Sequence, residues 1–165
     1  MDGKAHFERL ARYNRWANRR LYAVVAELSE AQFREDRGAF FGSLRGTLNH
    51  ILVADRIWLG RIEGTGPMPS ALDEILFDRF DELRAAREAE DERIIRVVKG
   101  LDEARLDSIF AYRNTKGEPI EVPFGPMLTH VFNHQTHHRG QAHTLLSQFS
   151  REAPVIDFVY FLLKP

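Results

Sequence analysis

The chain has 165 residues, 44% of them hydrophobic, and its formal net charge at pH 7 is −1. This hydrophobic content allows a sizeable core and excludes a disordered chain. The near-neutral charge argues against a protein that binds nucleic acid by neutralising phosphates. With no cysteines, disulfides and thiolate metal ligands are excluded as well.

At this length we expect one domain spanning residues 1–165. The N-terminal sequence MDGKAHFERL carries charges where a secretory signal needs an apolar run. No stretch reaches the roughly 18 uninterrupted apolar residues of a membrane span. We therefore expect a cytoplasmic protein that does not cross a membrane.

Four segments have the 3–4-residue hydrophobic spacing of amphipathic helices. They are residues 5–28, 43–63, 73–99 (most clearly from Phe77) and 125–149. Ser43 is placed to cap the second helix, and Gly100 to end the third. Acidic and basic residues alternate densely over Asp81–Arg93, which predicts a solvent-exposed face with i,i+4 ion pairs.

Shorter signals occupy the connections between these helices. Ser29 precedes a short capped turn, and residues 109–112 and 120–122 are β-prone runs around the turn sequence Asn114–Gly117. The apolar tail Val155–Leu163 is a short fifth helix, an extra core layer or part of a subunit contact. The pattern predicts an all-α fold: a four-helix bundle with a small β-hairpin before the fourth long helix and a short C-terminal helix.

Four of the seven histidines lie within nine residues of the last long helix. They are His130, His134, His137 and His138. Histidines four apart differ by about 40° around a helix and can bind one metal ion together. Two such pairs exist, His130/His134 and His134/His138.

The apolar face of the helix distinguishes the two pairs. With His134 set at 0°, the apolar residues lie between about 20° and 120°, and His138 lies at about 40° among them. His130 and His137 fall outside this face, at about −40° and −60°, and His143 points away. His134 and His138 are therefore the pair that faces the bundle.

A third ligand must come from another helix, because two protein ligands alone make a weak site. Only His6 and His50 remain, and His6 is near the N-terminal end. His50 lies mid-helix among apolar neighbours, where a buried imidazole needs a partner. A hydrogen-bonded core histidine is the competing interpretation for each single residue. Position 135 is Gln, so the general-base glutamate of an H-E-x-x-H protease is absent.

Several segments, taken together, resemble the DinB-like superfamily, which includes the YfiT-like proteins. They are Tyr13–Leu21, Gly46–Leu52 followed by Asp55 and Trp58, Asn133–Gln141 and Asp157–Leu162. The segment Asn133–Gln141 is similar to the family signature H-x-x-x-H-R-x-Q. The resemblance covers nearly the whole chain.

This resemblance implies a bundle that holds one divalent metal ion, zinc or nickel, through His50, His134 and His138. It also implies a homodimer acting on a small-molecule substrate, with no role in binding DNA. Characterised members of the family are transferases or isomerases that use low-molecular-weight thiols such as bacillithiol or mycothiol, and some are described as metal-dependent hydrolases.

Three neutral imidazoles leave one coordination position open, where a thiol or a water can be deprotonated. We expect a metal-dependent thiol S-transferase acting on a small electrophile, with a low-molecular-weight thiol as cosubstrate. The alternatives are a metal-dependent hydrolase and a non-catalytic metal-binding stress-response protein. Candidates for supporting roles, which otherwise read as helix-surface contacts or aromatic core, are Asn49, Arg139, Gln141, Tyr13 and Trp16.

Overall fold

The structure is a computed structural model that describes residues 3–66, 68–149 and 151–163. Its elements in chain order are α1 (Gly3–Val25), α2 (Glu30–Arg34), α3 (Leu44–Glu63), α4 (Phe80–Lys99), α5 (Glu103–Leu106), β1 (Ile109–Arg113), β2 (Pro119–Pro123), α6 (Phe124–Gln148) and α7 (Phe158–Leu162). Helices α1, α3, α4 and α6 are long. The predicted helical architecture, with a hairpin before the last long helix and a short C-terminal helix, is confirmed.

The four long helices pack in a square. Helix α1 packs mainly on α4 and α6, and α3 packs on the same two helices. Helices α1 and α3 therefore occupy opposite corners, as do α4 and α6. Within the described residues, no helix is long and apolar enough to cross a membrane.

Local sequence explains several of the helix ends. The Ser43 side chain accepts a hydrogen bond from the Gly46 backbone at the start of α3, as predicted. Ser29 and Gln32 form a capping box around α2, which is the predicted capped turn. Gly100 caps α4, also as predicted. Strands β1 and β2 pair antiparallel around a turn in which Gly117 has a φ of 82°.

The start of α4 differs from the prediction. Residues 73–79 continue the apolar pattern but are not helical, and α4 begins at Phe80. The Asn49 side chain accepts a hydrogen bond from the Phe77 backbone N–H and donates one to the Phe77 carbonyl. These bonds to α3 hold the segment in a non-helical path, so tertiary contacts override the local helical pattern. Helix α5 was not predicted; Asp102 caps it by accepting from the Arg105 N–H.

A buried polar network crosses the middle of the bundle. Its members, contributed by all four long helices, are Asn14, Asn18, Asp55, Arg87, Asp91, Gln135 and Arg139. On each helix these residues fall between two apolar clusters, one near Phe7 and Phe124 and the other near Leu21 and Leu146.

Arg87 contacts both aspartates of the buried polar network. Its Nη1 donates to Asp55 Oδ2 at 2.5 Å, and its Nη2 lies 3.0 Å from Asp91 Oδ1 without hydrogen-bond alignment. Burial acts to lower the pKa of Arg87, but the adjacent Asp91 and Asp55 carboxylates outweigh it and raise that pKa. Burial raises the pKa of Asp91, opposed by the Arg87 charge.

Two asparagines connect Asp91 to Arg139. Asn14 and Asn18 donate to Asp91 Oδ1 at 3.1 and 2.9 Å. Their side-chain oxygens in turn accept from the Arg139 guanidinium. With two arginines and two aspartates, the network is electrically balanced.

The predicted solvent-exposed face of Asp81–Arg93 exists, but part of this charged stretch lies in the core. Arg87, Glu90 and Asp91 are buried on the same side of α4 as Leu83 and Ile94. The predicted i,i+4 pairing does occur, but the Arg87–Asp91 pair faces the core rather than water. Arg84 and Glu88 form the exposed pair that the pattern suggested.

We predict that Asp91→Ala lowers the free energy of unfolding by about 3–5 kcal/mol, because it deprives the buried Arg87 of one of its two carboxylates. Glu92→Ala is the matched control: the neighbouring Glu92 pairs with Arg15 but its side chain is 44% exposed, against 1% for Asp91. The control should cost less than about 1 kcal/mol. Chemical denaturation measures both variants, and equal losses would contradict a structural role for the network.

Candidate metal centre

Three imidazoles from two helices meet at one point. His50 Nε2 on α3 lies 3.2 Å from His134 Nε2 and 3.2 Å from His138 Nε2, both on α6. The ligand atoms of all three lie within 4.8 Å of one another, so the group can hold a metal ion. No other histidine, aspartate or glutamate in the described ranges joins this group.

Helix geometry brings these three together and leaves the other α6 histidines out. The i,i+4 spacing places the His134 and His138 rings 4.3 Å apart, measured between centroids. His130 and His137 are exposed beside this pair. His143 lies on another side of the helix, where its Nε2 is 3.2 Å from the Pro154 carbonyl oxygen.

The hydrogen bonds behind the rings determine which nitrogens face each other. His50 Nδ1 lies 2.7 Å from the Leu72 carbonyl oxygen, which can only accept, so Nδ1 carries the hydrogen. In neutral His50 the inward-facing Nε2 therefore carries no hydrogen and presents its lone pair. His138 Nδ1 lies 2.8 Å from Gln141 Oε1, and donation to that oxygen leaves its Nε2 bare as well. Two such nitrogens 3.2 Å apart repel unless a cation lies between them.

Protonation of one of the imidazoles is an unfavourable way to supply that cation. Burial lowers the pKa of His50 and of His138. The pKa of His134 is lowered to about 3, mainly by burial and then by the neighbouring His138 and His50. Neutral imidazole is the form that ligates metals, so the same burial that disfavours protonation prepares the site for a metal ion.

The spacing also fits a metal ion. Imidazole nitrogens lie roughly 2.0–2.1 Å from zinc, and two such ligands separated by 3.2 Å subtend an angle of roughly 100° at the ion. That angle is close to tetrahedral. The carbonyl of Leu72 and the amide of Gln141 supply the outer hydrogen bonds that metal-bound histidines need to fix their orientation.

Phe41 closes one side of the centre. Its ring stacks on His50 at 3.9 Å and meets His138 edge-on at 5.6 Å. This approach depends on Gly46, because a Cβ at that position would collide with the Phe41 carbonyl oxygen. The turn before α3 is therefore held against the metal centre.

The five supporting candidates have different positions. Gln141 contacts His138 directly, and Asn49 binds the backbone of Phe77, five residues after Leu72. Arg139 belongs to the buried polar network. The helix-surface interpretation is therefore wrong for Asn49 and Arg139, which are buried.

The two aromatic candidates lie away from the histidines. The Tyr13 hydroxyl donates to the Ile156 carbonyl at 2.8 Å, and its ring packs on Phe158 and Phe161 of the C-terminal helix. Trp16 packs on Tyr13 and Phe161. Both secure the C-terminal segment to α1.

One feature of the metal site and one of the buried polar network were not identified from the sequence. The Leu72 carbonyl has no side-chain signature, so no sequence pattern points to it. The burial of Arg87 and Asp91 did have a signal: both continue the 3–4-residue spacing from Leu83 to Ile94, so the apolar stripe of α4 passes through them.

Comparison with known proteins identifies the family. The model of the DinB family matches residues 1–163. The protein named Protein DinB from Bacillus subtilis (strain 168) is 26% identical over 163 residues, covering 93% of this chain and 92% of the relative. The chain belongs to the DinB family.

The stability of the metal-free protein should fall as pH decreases. The pKa of His134 is about 3 in the folded protein and roughly 6.5 in the unfolded chain. Between these values the unfolded chain takes up a proton that folded His134 does not, so the stabilisation is complete above about pH 6.5 and declines below it.

Denaturation in the presence of a chelator, at about pH 5 and about pH 7, measures this dependence. His134→Asn should make it shallower, while the control His143→Asn should keep the wild-type slope. Identical slopes for His134→Asn and the wild type would contradict the burial of neutral His134.

Proposed function

We propose that His50, His134 and His138 bind one divalent metal ion, zinc or nickel, and that the protein is a metal-dependent thiol S-transferase. The observation that carries this proposal is the three-ligand set, with no fourth His, Asp or Glu donor in the described part of the chain. Structural zinc sites are closed by four protein ligands, whereas catalytic sites keep one position for water or substrate. A purely structural metal is therefore the weaker alternative.

The ion, when bound, supplies Lewis acidity that lowers the pKa of a thiol placed in the remaining position. The chain's own residues prepare that position. Leu72 and Gln141 orient two of the imidazoles through their outer nitrogens. Phe41 covers His50 and keeps water from that side of the centre. The thiol proton passes to solvent, sulfur bonds to an electrophilic carbon, and the leaving group departs with the electron pair of its bond to that carbon.

The position of Gln135 favours a thiol over water as the nucleophile. In H-E-x-x-H hydrolases this position carries the glutamate that deprotonates water. Here the Gln135 side chain is fully buried and donates to Asp55 at 2.8 Å, so it faces the core instead of the substrate. A thiol is far more acidic than water and does not need that base. We therefore rank the hydrolase second.

We further propose a cytoplasmic homodimer. Low-molecular-weight thiols are kept reduced in the cytoplasm, and a chain without cysteine has no thiol of its own to enter disulfide exchange. Helix α7 has no buried residue and leaves Val159, Tyr160 and Leu162 about half exposed. An apolar surface of this kind supports a contact between two copies.

Cobalt(II) substitution tests thiol activation at the centre. Adding a low-molecular-weight thiol to the cobalt-loaded protein should produce a sulfur-to-cobalt charge-transfer band, and the zinc- or nickel-loaded protein should transfer that thiol to a generic electrophile. A panel of bacillithiol, mycothiol, glutathione and cysteine covers the cosubstrate class.

His50→Ala should abolish the band and the turnover, because it removes the only ligand from α3. His143→Ala, which changes a histidine outside the group, is the matched control and should retain both. Metal-dependent hydrolysis of activated esters, with no turnover and no band for any thiol, would overturn the transferase in favour of the hydrolase.

A further inference from the structure

Arg61 is a half-buried cation without a carboxylate partner. Its guanidinium carbon lies 4.8 Å from the Trp58 ring centroid and 4.7 Å from that of Tyr112. Its Nε is buried and has no hydrogen-bond partner within the described structure. No Asp or Glu of the described residues forms an ion pair with it, whereas Arg56 of the same helix and Arg93 of α4 pair with Glu90 and Glu63.

This arrangement leaves the Arg61 guanidinium without an anionic partner among the described residues. A guanidinium has five N–H donors in a fixed planar fork that matches a carboxylate or phosphate. The rings of Trp58 and Tyr112 hold the Arg61 fork in place but accept none of these hydrogens as an anion would. Burial lowers the pKa of Arg61, and Tyr112 opposes that shift; no carboxylate of the described residues contributes to it.

Arg61 faces the same side of α3 as the metal centre. Eleven residues separate it from His50, so the two differ by only about 20° around the helix and by about 16 Å along it. Helical side chains lean toward the N-terminus, which brings the guanidinium back toward His50.

Ring contacts connect the two places on the α6 side. The centroids of His134 and His130 are 5.9 Å apart, and those of His130 and Trp58 are 5.5 Å apart. A continuous path of side chains therefore leads from the three histidines to the Arg61 cation. A substrate that touches both places must span about 16 Å or somewhat less, since the Arg61 side chain leans back toward His50.

We propose that Arg61 binds an anionic group, a carboxylate or phosphate, of a small substrate whose reacting atom lies at the three-histidine centre. The second half of this statement rests on the proposed function, but anion binding at Arg61 does not. The anion accepts charge-assisted hydrogen bonds from the guanidinium, whose orientation is already fixed by the two rings. The substrate class is thus an anionic thiol or an anionic electrophile rather than a neutral one.

Fluorescence of a single tryptophan can measure this binding without any reaction. The chain has two tryptophans, so Trp16→Phe leaves Trp58, against which Arg61 lies, as the only one. Metal-free protein in this background is titrated with two pairs of probes. Glutathione and its diethyl ester represent the thiol, and 4-methylbenzoate and its methyl ester represent an unreactive electrophile analogue.

The charged member of at least one pair should bind saturably and more tightly than its ester. Arg61→Gln should lower the affinity for that charged probe at least about tenfold, since one or more charge-assisted hydrogen bonds are lost. The affinity for the ester should not change. The affinity of Arg61→Lys for the charged probe should lie between those of the wild type and Arg61→Gln, because lysine keeps the charge without the planar fork. Arg96→Gln, an exposed arginine of α4, is the control and should change nothing. The pair that responds identifies which substrate carries the anion.

Two results would overturn the proposal: no saturable binding of either charged probe, or equal weakening of charged and neutral probes by Arg61→Gln. A thermal melt of Arg61→Gln identifies a general loss of folding, and Arg61→Lys then decides the question. Because these titrations need neither metal nor turnover, they can succeed where the thiol transferase assay fails. The two proposals therefore stand or fall separately.

Discussion

The relative position of α3 and α6 depends on the hydrogen bond from Gln135 to Asp55 inside the buried polar network. Asp55 is held in turn by Arg87 from α4, so three helices share one carboxylate. A buried carboxylate cannot be left without these partners at acceptable cost, which makes the packing specific in a way that apolar contacts alone do not. His134, the neighbour of Gln135 along α6, and His50, five residues before Asp55, are brought opposite each other by this constraint.

The metal centre is the consequence of that packing. Once α3 and α6 are fixed, the nitrogens of His50, His134 and His138 converge, and burial lowers the pKa of all three side chains. The hydrogen bonds at Nδ1 of His50 and of His138 direct the Nε2 lone pairs of these two rings toward each other. The network thus balances its own charges, while the three histidines turn neutral nitrogens toward one point where a metal cation can bind. Arg61, on the same side of α3, has no carboxylate partner among the described residues, and its buried Nε has no hydrogen-bond partner.

The parts of the metal centre that depend on one face of a single helix could be predicted from the sequence. The i,i+4 spacing and the apolar face of α6 selected His134 and His138 without knowledge of the fold, and His50 followed because the other helices offered only one further candidate, near the chain end. The prediction failed where the deciding contact comes from elsewhere in the chain. Residues 73–79 have a helical pattern but bond to Asn49, and Arg87 and Asp91 look like surface charges until their partners on α1 and α3 are known. The Leu72 carbonyl leaves no trace in the sequence at all.

X-ray absorption spectroscopy of the protein loaded with one equivalent of zinc most directly tests the claim of an open three-histidine centre. An open three-histidine centre should show three imidazole nitrogens at roughly 2.0–2.1 Å and one further light atom. Adding a thiol should replace that light atom with a sulfur at roughly 2.3 Å while all three imidazoles remain. Four protein ligands that no thiol displaces, or a shell with fewer than three imidazoles, would contradict it.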